Sequence, residues 1–231
     1  MAHSRTILPP PRPLAALLTA RMAGVGLNFA VEPDPSGNIE DTLIHASEAG
    51  MLDGDLRVLG VLTAWFGQHH DYVNADRMVR VVRAHPSDRV RAYWAALALW
   101  RNRDRRFARL AAAHDGEPID LLPVGTAFQI QRRGADERFL DSPLRVPLGT
   151  LRTRPDDVLS VEALARLHHG YCNRVLMGPS WRADVWTLLE RNPDLSVADA
   201  ARGAYCGFAT AWAVIRDFRI FAEAGADLRV A

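Results

Sequence analysis

The chain has 231 residues, 48% hydrophobic and 24% charged, with 28 basic side chains against 27 acidic ones. This length and balance suit one large or two small globular domains with ample core material, and exclude a disordered chain or a supercharged tail. Two cysteines, Cys172 and Cys206, are too few for a disulfide scaffold and give no reason to expect an oxidising compartment.

The sequence contains no lysine, so all 28 cations are arginine. Arginine codons in a GC-rich genome account for this. The functional alternative is bidentate binding of phosphate or carboxylate by the guanidinium fork. Near neutrality also hides an asymmetry. Residues 32–55 carry seven acids and no arginine, whereas residues 77–109 carry ten arginines against Asp88 and Asp104, a surplus of eight positive charges. Such blocks suit a polyanion-binding face, two faces that pair with each other or with a partner, or solvated helices with internal ion pairs.

In chain order, residues 1–37 form a Pro-rich N-terminal segment. Pro9, Pro10, Pro11 and Pro13 interrupt its apolar start before the core of a signal peptide could form. No apolar run reaches the roughly 18 to 20 residues of a spanning helix, so a cytoplasmic protein with no membrane partner is expected. Residues 38–114 read as a helical region with a basic face. Ile39, Leu43 and Ala46 share one stripe, and Leu56, Leu59, Leu62 and Phe66 another. Asn74 caps a helix that must end near Pro86. Ser87 caps the next, with Val90, Trp94, Leu97 and Trp100 as its buried seam. Continuing that helix would place Arg101, Arg105 and Arg109 in one i, i+4, i+8 row.

Residues 115–159 are rich in proline and glycine and read as a loop or β-hairpin insert. Ala127 to Gln131 is a candidate strand turning at Gly134-Ala135-Asp136 into Arg138-Phe139-Leu140, and Val146 to Thr153 another. Residues 160–231 read as a helical domain. Ser160 opens its first helix, Ser180 the next, and Asn192-Pro193 ends that one. Ser196 then caps a short helix, with Asp199 at capping-box spacing. Tyr205-Cys206-Gly207 makes a turn, and Phe208, Ala211, Val214, Ile215, Phe218 and Phe221 line a longer third helix.

The stretch from Leu195 to Phe218, or 181–221 with the preceding helix, resembles the helix-turn-helix of bacterial transcription regulators and antitoxin-like proteins. Ala201 falls on the family's small residue, Ala200 and Ala204 on its inward positions, Cys206 on the apolar position after the turn, and Ala211 and Val214 inside the recognition helix. Gly207 takes the N-cap position. The resemblance implies DNA-facing roles for Gly207, Phe208, Ala209, Thr210, Ala213 and Arg216. Tyr205 departs from the pattern, standing where the family favours glycine for its positive φ. The groove-facing set also offers few donors, so phosphate contacts are expected from Arg101, Arg105 and Arg109.

Catalytic signatures are lacking. Ala23-Gly24-Val25-Gly26 has no third glycine for a dinucleotide loop, and there is no Gly-x-Ser-x-Gly, lysine-bearing phosphate loop or His-Glu-x-x-His. His168 and Cys172 have i, i+4 spacing suited to zinc, but no second ligand pair accompanies them. No catalytic residue, metal or cofactor is therefore expected. The sequence predicts a mainly α protein: a helical N-terminal region, a small β-containing insert and a C-terminal trihelical helix-turn-helix-like unit. Its expected function is non-enzymatic DNA-binding regulation, as a transcription regulator or antitoxin. The expected partners are double-stranded DNA, a protein such as a toxin, or a second copy in a homodimer. A protein-binding adaptor whose helix-turn-helix only packs is the alternative, and an enzyme without a linear motif is the third reading.

Overall fold

The computed structural model of the protein describes residues 8–227. The part of the Pro-rich segment before Leu8 lies outside the described residues. The fold is mainly α, 62% helical, with twelve α-helices and one two-stranded sheet among those residues. It divides into two compact units, Leu8–His168 and the chain from His169 onward. No described helix is long and apolar enough to cross a membrane.

The first unit begins with α1 (Ala15–Gly24), a helix inside the segment read as a Pro-rich arm. Ahead of it the prolines form an ordered strap: His45 Nε2 donates to the Pro10 carbonyl at 3.0 Å, and Arg12 pairs with Asp53 at 2.8 Å. Then come α2 (Ile39–Met51), α3 (Leu56–His69), α4 (Ala75–Ala84) and α5 (Asp88–Trp100). Their starts follow the side-chain caps. Asn38, Asp55, Asn74 and Ser87 accept from the amides of Asp41, Val58, Arg77 and Val90 and so satisfy otherwise orphan donors.

Leu43, Leu59, Leu62, Phe66, Val90, Trp94 and Leu97 are fully buried, so the predicted stripes face the core, except that Leu56 at the start of α3 and Trp100 at the end of α5 are half-buried. Three large amphipathic side chains satisfy their polar ends there. The Trp65 indole donates to the Val25 carbonyl at 2.7 Å and that of Trp94 to Ser47 Oγ at 3.0 Å, while Tyr93 and Thr63 share a hydroxyl–hydroxyl bond of 3.1 Å. Phe66 meets Trp94 and Phe107 edge-on.

The predicted arginine row is not a single helical face. Helix α5 ends at Trp100, and a new turn starts at Asp104, whose carboxylate accepts the Arg106 amide at 3.0 Å. A 3-10 turn and the short α6 (Ala108–Ala111) follow. A cap therefore overrides the periodicity.

The insert differs more. Ala127–Gln131, predicted as a strand, lies within α7 (Thr126–Arg133), which left-handed Gly125 opens and Gly134, also at positive φ, closes. Arg138-Phe139 sits in a 3-10 turn. The sheet pairs β1 (Ile119–Asp120) with β2 (Leu144–Arg145) in parallel, so there is no hairpin. Val146–Thr153 contributes one bridge, between Pro147 and Ala135. Beyond it, residues 26–28 and 157–159 run together through Asn28 to Asp157 and Leu159 to Gly26 backbone bonds, and α8 (Val161–Leu167) completes the unit under a Ser160 cap.

The second unit contains α9 (His169–Met177), α10 (Trp181–Arg191), α11 (Val197–Gly203) and α12 (Phe208–Asp227). Val185, Leu189, Ala200, Ala204, Cys206, Ala211, Val214 and Ile215 form its core, with Trp181, Trp186 and Phe218 packed alongside. Buried Arg174 forks onto Asp184 at 2.7 and 2.9 Å, and Asn173 donates to Thr187 and Glu190.

Candidate nucleic-acid interface

The α11–turn–α12 segment is built by local chemistry. Ser196 Oγ accepts the Asp199 amide at 3.1 Å, and the Ser196 hydroxyl donates to the Asp199 carboxylate at 2.5 Å, which holds that carboxyl below its ordinary range. Ser180, at the start of α10, makes no such side-chain bond.

Helix α11 ends in a complete Schellman turn. The Cys206 amide donates to Ala201 at 3.0 Å and the Tyr205 amide to Arg202 at 3.1 Å, which requires a left-handed residue between Ala204 and Cys206. That residue is Tyr205, at φ 55. The position read from sequence as the family's glycine site thus has the conformation glycine would favour. Cys206 drops into the core, and the Ala211 amide donates to Gly207 as α12 begins.

Helix α12 turns Ala211, Val214 and Ile215 inward. Phe208 and Trp212 are 61% and 52% exposed, Ala209 and Arg216 are also exposed, and Gly207, Thr210 and Ala213 are half-buried. The outward surface is thus largely apolar. Arg216 lies over the Trp212 ring at 5.5 Å and donates to Asp217 at 2.8 Å. Asp217 also receives Arg182 from α10 at 2.7 Å, and the two arginines, Arg182 foremost, hold its carboxyl below the usual range. A groove of about 300 Å³ runs beside this surface, lined by Val197, Trp212, Ile215, Arg216, Arg219, Ile220 and Glu223.

The other predicted contacts, Arg101, Arg105 and Arg109, belong to the first unit. Arg101 donates to the Gly67 carbonyl and stacks on Trp100 at 4.1 Å. Arg109 pairs with Asp76 at 2.6 Å, whereas Arg105 is exposed. Much of the charge asymmetry is spent internally. Arg77 of α4 forms a buried 2.7 Å pair with Asp41 of α2, His85 meets Glu48 at 3.0 Å, and Arg89 caps carbonyls of Met51, Asp120 and Leu121. Arg77 and His85 thus tie the basic stretch to Asp41 and Glu48 of the acidic one.

Sequence reading missed one polar cluster because its members are distant in the chain. Ligand atoms of His70, Asp71 and Asp104 lie within 4.8 Å of one another. Burial lowers the His70 pKa and so favours a neutral ring, whose enclosed Nδ1 has no hydrogen-bond partner among the described residues. Yet Arg106 already stands where a cation would. Its guanidinium reaches Asp104 at 2.6 Å and Asp71 at 3.6 Å. The zinc-like spacing of His168 and Cys172 is not realised on one helix, because His168 is the extended residue closing α8 and α9 starts after it.

Structurally this is a mainly α-helical protein whose second unit presents a helix after a tight left-handed turn. No family model matches the chain, and no curated protein or solved structure is significantly similar to it.

Proposed function

We propose that the chain is a non-enzymatic DNA-binding regulatory protein, a transcription regulator or antitoxin-like component that docks α12 in the major groove. The observation that carries this reading is the Schellman turn at Tyr205, which ends α11 just before α12 begins and leaves Phe208, Ala209, Thr210, Ala213 and Arg216 outside the buried core of the unit. In this account Thr210 and Arg216 supply the polar contacts, and Phe208 and Ala213 touch thymine methyl groups. Exposed Arg105 contributes phosphate contact, together with Arg103, which has no ion-pair partner among the described residues. Arg101 and Arg109 would add to it by exchanging internal partners for phosphate.

A fluorescence-anisotropy titration of the full chain on random duplex DNA tests this. With these four phosphate contacts, raising salt from 50 to 200 mM should weaken binding by about 150-fold. Arg105→Glu should weaken it across all sequences, and Arg216→Ala should weaken it further. The exposed Phe208 and Trp212 favour a second reading, a protein-binding adaptor. Absence of binding at low salt would select it.

A further inference from the structure

Helix α7, in the first unit, turns outward the side chains that a short helix normally buries. Of its eight residues only Thr126 is buried, with Gln129 and Ile130 half-buried. Phe128 is 64% exposed and Val124, one turn earlier, is 85% exposed, while Pro123 and Ala127 are open to solvent beside them. A helix of this length is marginal in water without a packed apolar face. A second segment joins it: the Leu148 amide donates to the Gly134 carbonyl at 2.9 Å, which brings another exposed apolar residue, Leu148, to the C-terminal end of α7.

Both segments lack acids. Residues 121–135 and 142–155 hold five arginines and no Asp or Glu. Arg145 pairs with Asp120, but Arg132, Arg133, Arg152 and Arg154 are exposed and form no ion pair among the described residues. In the turn that connects the segments Asp136 is buried against Arg138, and Glu137 and Asp141 are its exposed acids. An apolar tip is therefore accompanied by a surplus of free cations.

We infer that α7 and the Leu148 segment form a peripheral attachment site for an anionic lipid bilayer. Val124 and Phe128 enter the boundary between headgroups and acyl chains, and the arginines stay at headgroup level against lipid phosphates. Arg132 and Arg133 are consecutive, so on a helix they diverge by about 100°, which suits a plane of phosphates better than a single carboxylate. A polynucleotide would match the cations but leave Val124 and Leu148 without apolar contact. A helix with one buried residue also offers a ridge, whereas a peptide partner needs a groove.

Attachment at the surface requires no spanning helix, and none is described. It departs from the sequence expectation of no membrane partner, which rested on spanning helices alone. The site shares no residue with α12 and stands without the DNA reading.

Co-flotation of the full chain with vesicles of phosphatidylcholine, alone or mixed three to one with phosphatidylserine, tests the site, with thermal melts confirming that each variant folds. The wild type should float with the mixed vesicles, less so at raised salt, and far less with phosphatidylcholine alone. Phe128→Ala should weaken partitioning into mixed vesicles about tenfold. Arg132→Gln/Arg133→Gln should weaken it about 30-fold. No binding to mixed vesicles, or binding that both variants leave intact, would overturn the inference. Binding lost with the arginine pair but kept by Phe128→Ala would mark a polynucleotide or acidic-protein surface, and would overturn it as well.

Discussion

Tyr205 shows how far a single residue can be read. Its place in the turn follows from the alignment of small and apolar residues around it, and its φ of 55 follows from the bonds that close α11. A left-handed L-residue costs about 1 to 2 kcal/mol relative to glycine. Removing the side chain to different extents isolates that cost. Tyr205→Gly should be more stable than Tyr205→Ala by about 1 kcal/mol in urea unfolding, the reverse of their order within a helix.

Arg77 carries a different lesson. Its guanidinium is almost fully buried against Asp41, so Arg77→Ala leaves a buried carboxylate without its cation and should destabilise the first unit by about 3 to 5 kcal/mol. Replacing both residues by leucine should recover most of the loss. Sequence placed Arg77 in a basic block and Asp41 in an acidic one, but could not show that the two blocks meet. That contact depends on how α2 and α4 pack.

At the scale of elements, legibility tracked the strength of local signals. Asn74, Ser87, Ser160 and Ser196 mark real helix starts because their side chains reach amides three residues on. The apolar stripes of α2, α3 and α5 mark the real core. Failures came where local signals compete. Ala127–Gln131 is too short for its period to separate strand from helix, and the flanking glycines that suggested hairpin turns instead open and close α7. The α1 helix was hidden by four nearby prolines, all of which precede its first turn. A close approach fixes its end: a Cβ on Gly24 would lie 2.0 Å from the Asp34 carbonyl oxygen.

Helix α3 also supplies a pH-dependent element. His69 is fully buried, and its Nε2 donates to the Leu159 carbonyl at 2.9 Å, so the neutral ring carries its proton there. Burial lowers its pKa from 6.5 to about 4. The unfolded chain therefore takes up a proton where the folded chain resists it. The stabilisation is complete above pH 6.5 and disappears as pH falls towards 4. Unfolding free energy should drop by about 2 kcal/mol between pH 7 and pH 5 from this group alone. His69→Gln should flatten that slope, as measured by denaturant titrations at each pH.

At the scale of the molecule, near neutrality has a structural meaning. Arg77, Arg89, Arg91, Arg101, Arg106 and Arg109 each hold an acid or a carbonyl of their own unit, so the positive surplus read from sequence is mostly internal wiring. The helix that would read DNA is correspondingly poor in free cations. The placement of Gly207, Phe208, Thr210, Ala213 and Arg216 at the start of a third helix could be read from the apolar spacing. The partners that claim Arg101, Arg109 and Arg216 could not, because those bonds form only when distant segments pack or when Asp217 turns towards Arg216.

Contact between the N-terminal turns of α12 and duplex DNA is the core of the proposed function. Its most direct measurement is the dissociation constant of the full chain on random duplex at low and at raised salt, compared with that of Thr210→Ala/Arg216→Ala. Saturable binding that weakens steeply with salt is expected, with a clear further loss in the double variant, whose melting temperature stays that of the wild type. No binding at low salt, or binding that the double variant leaves intact, would contradict it.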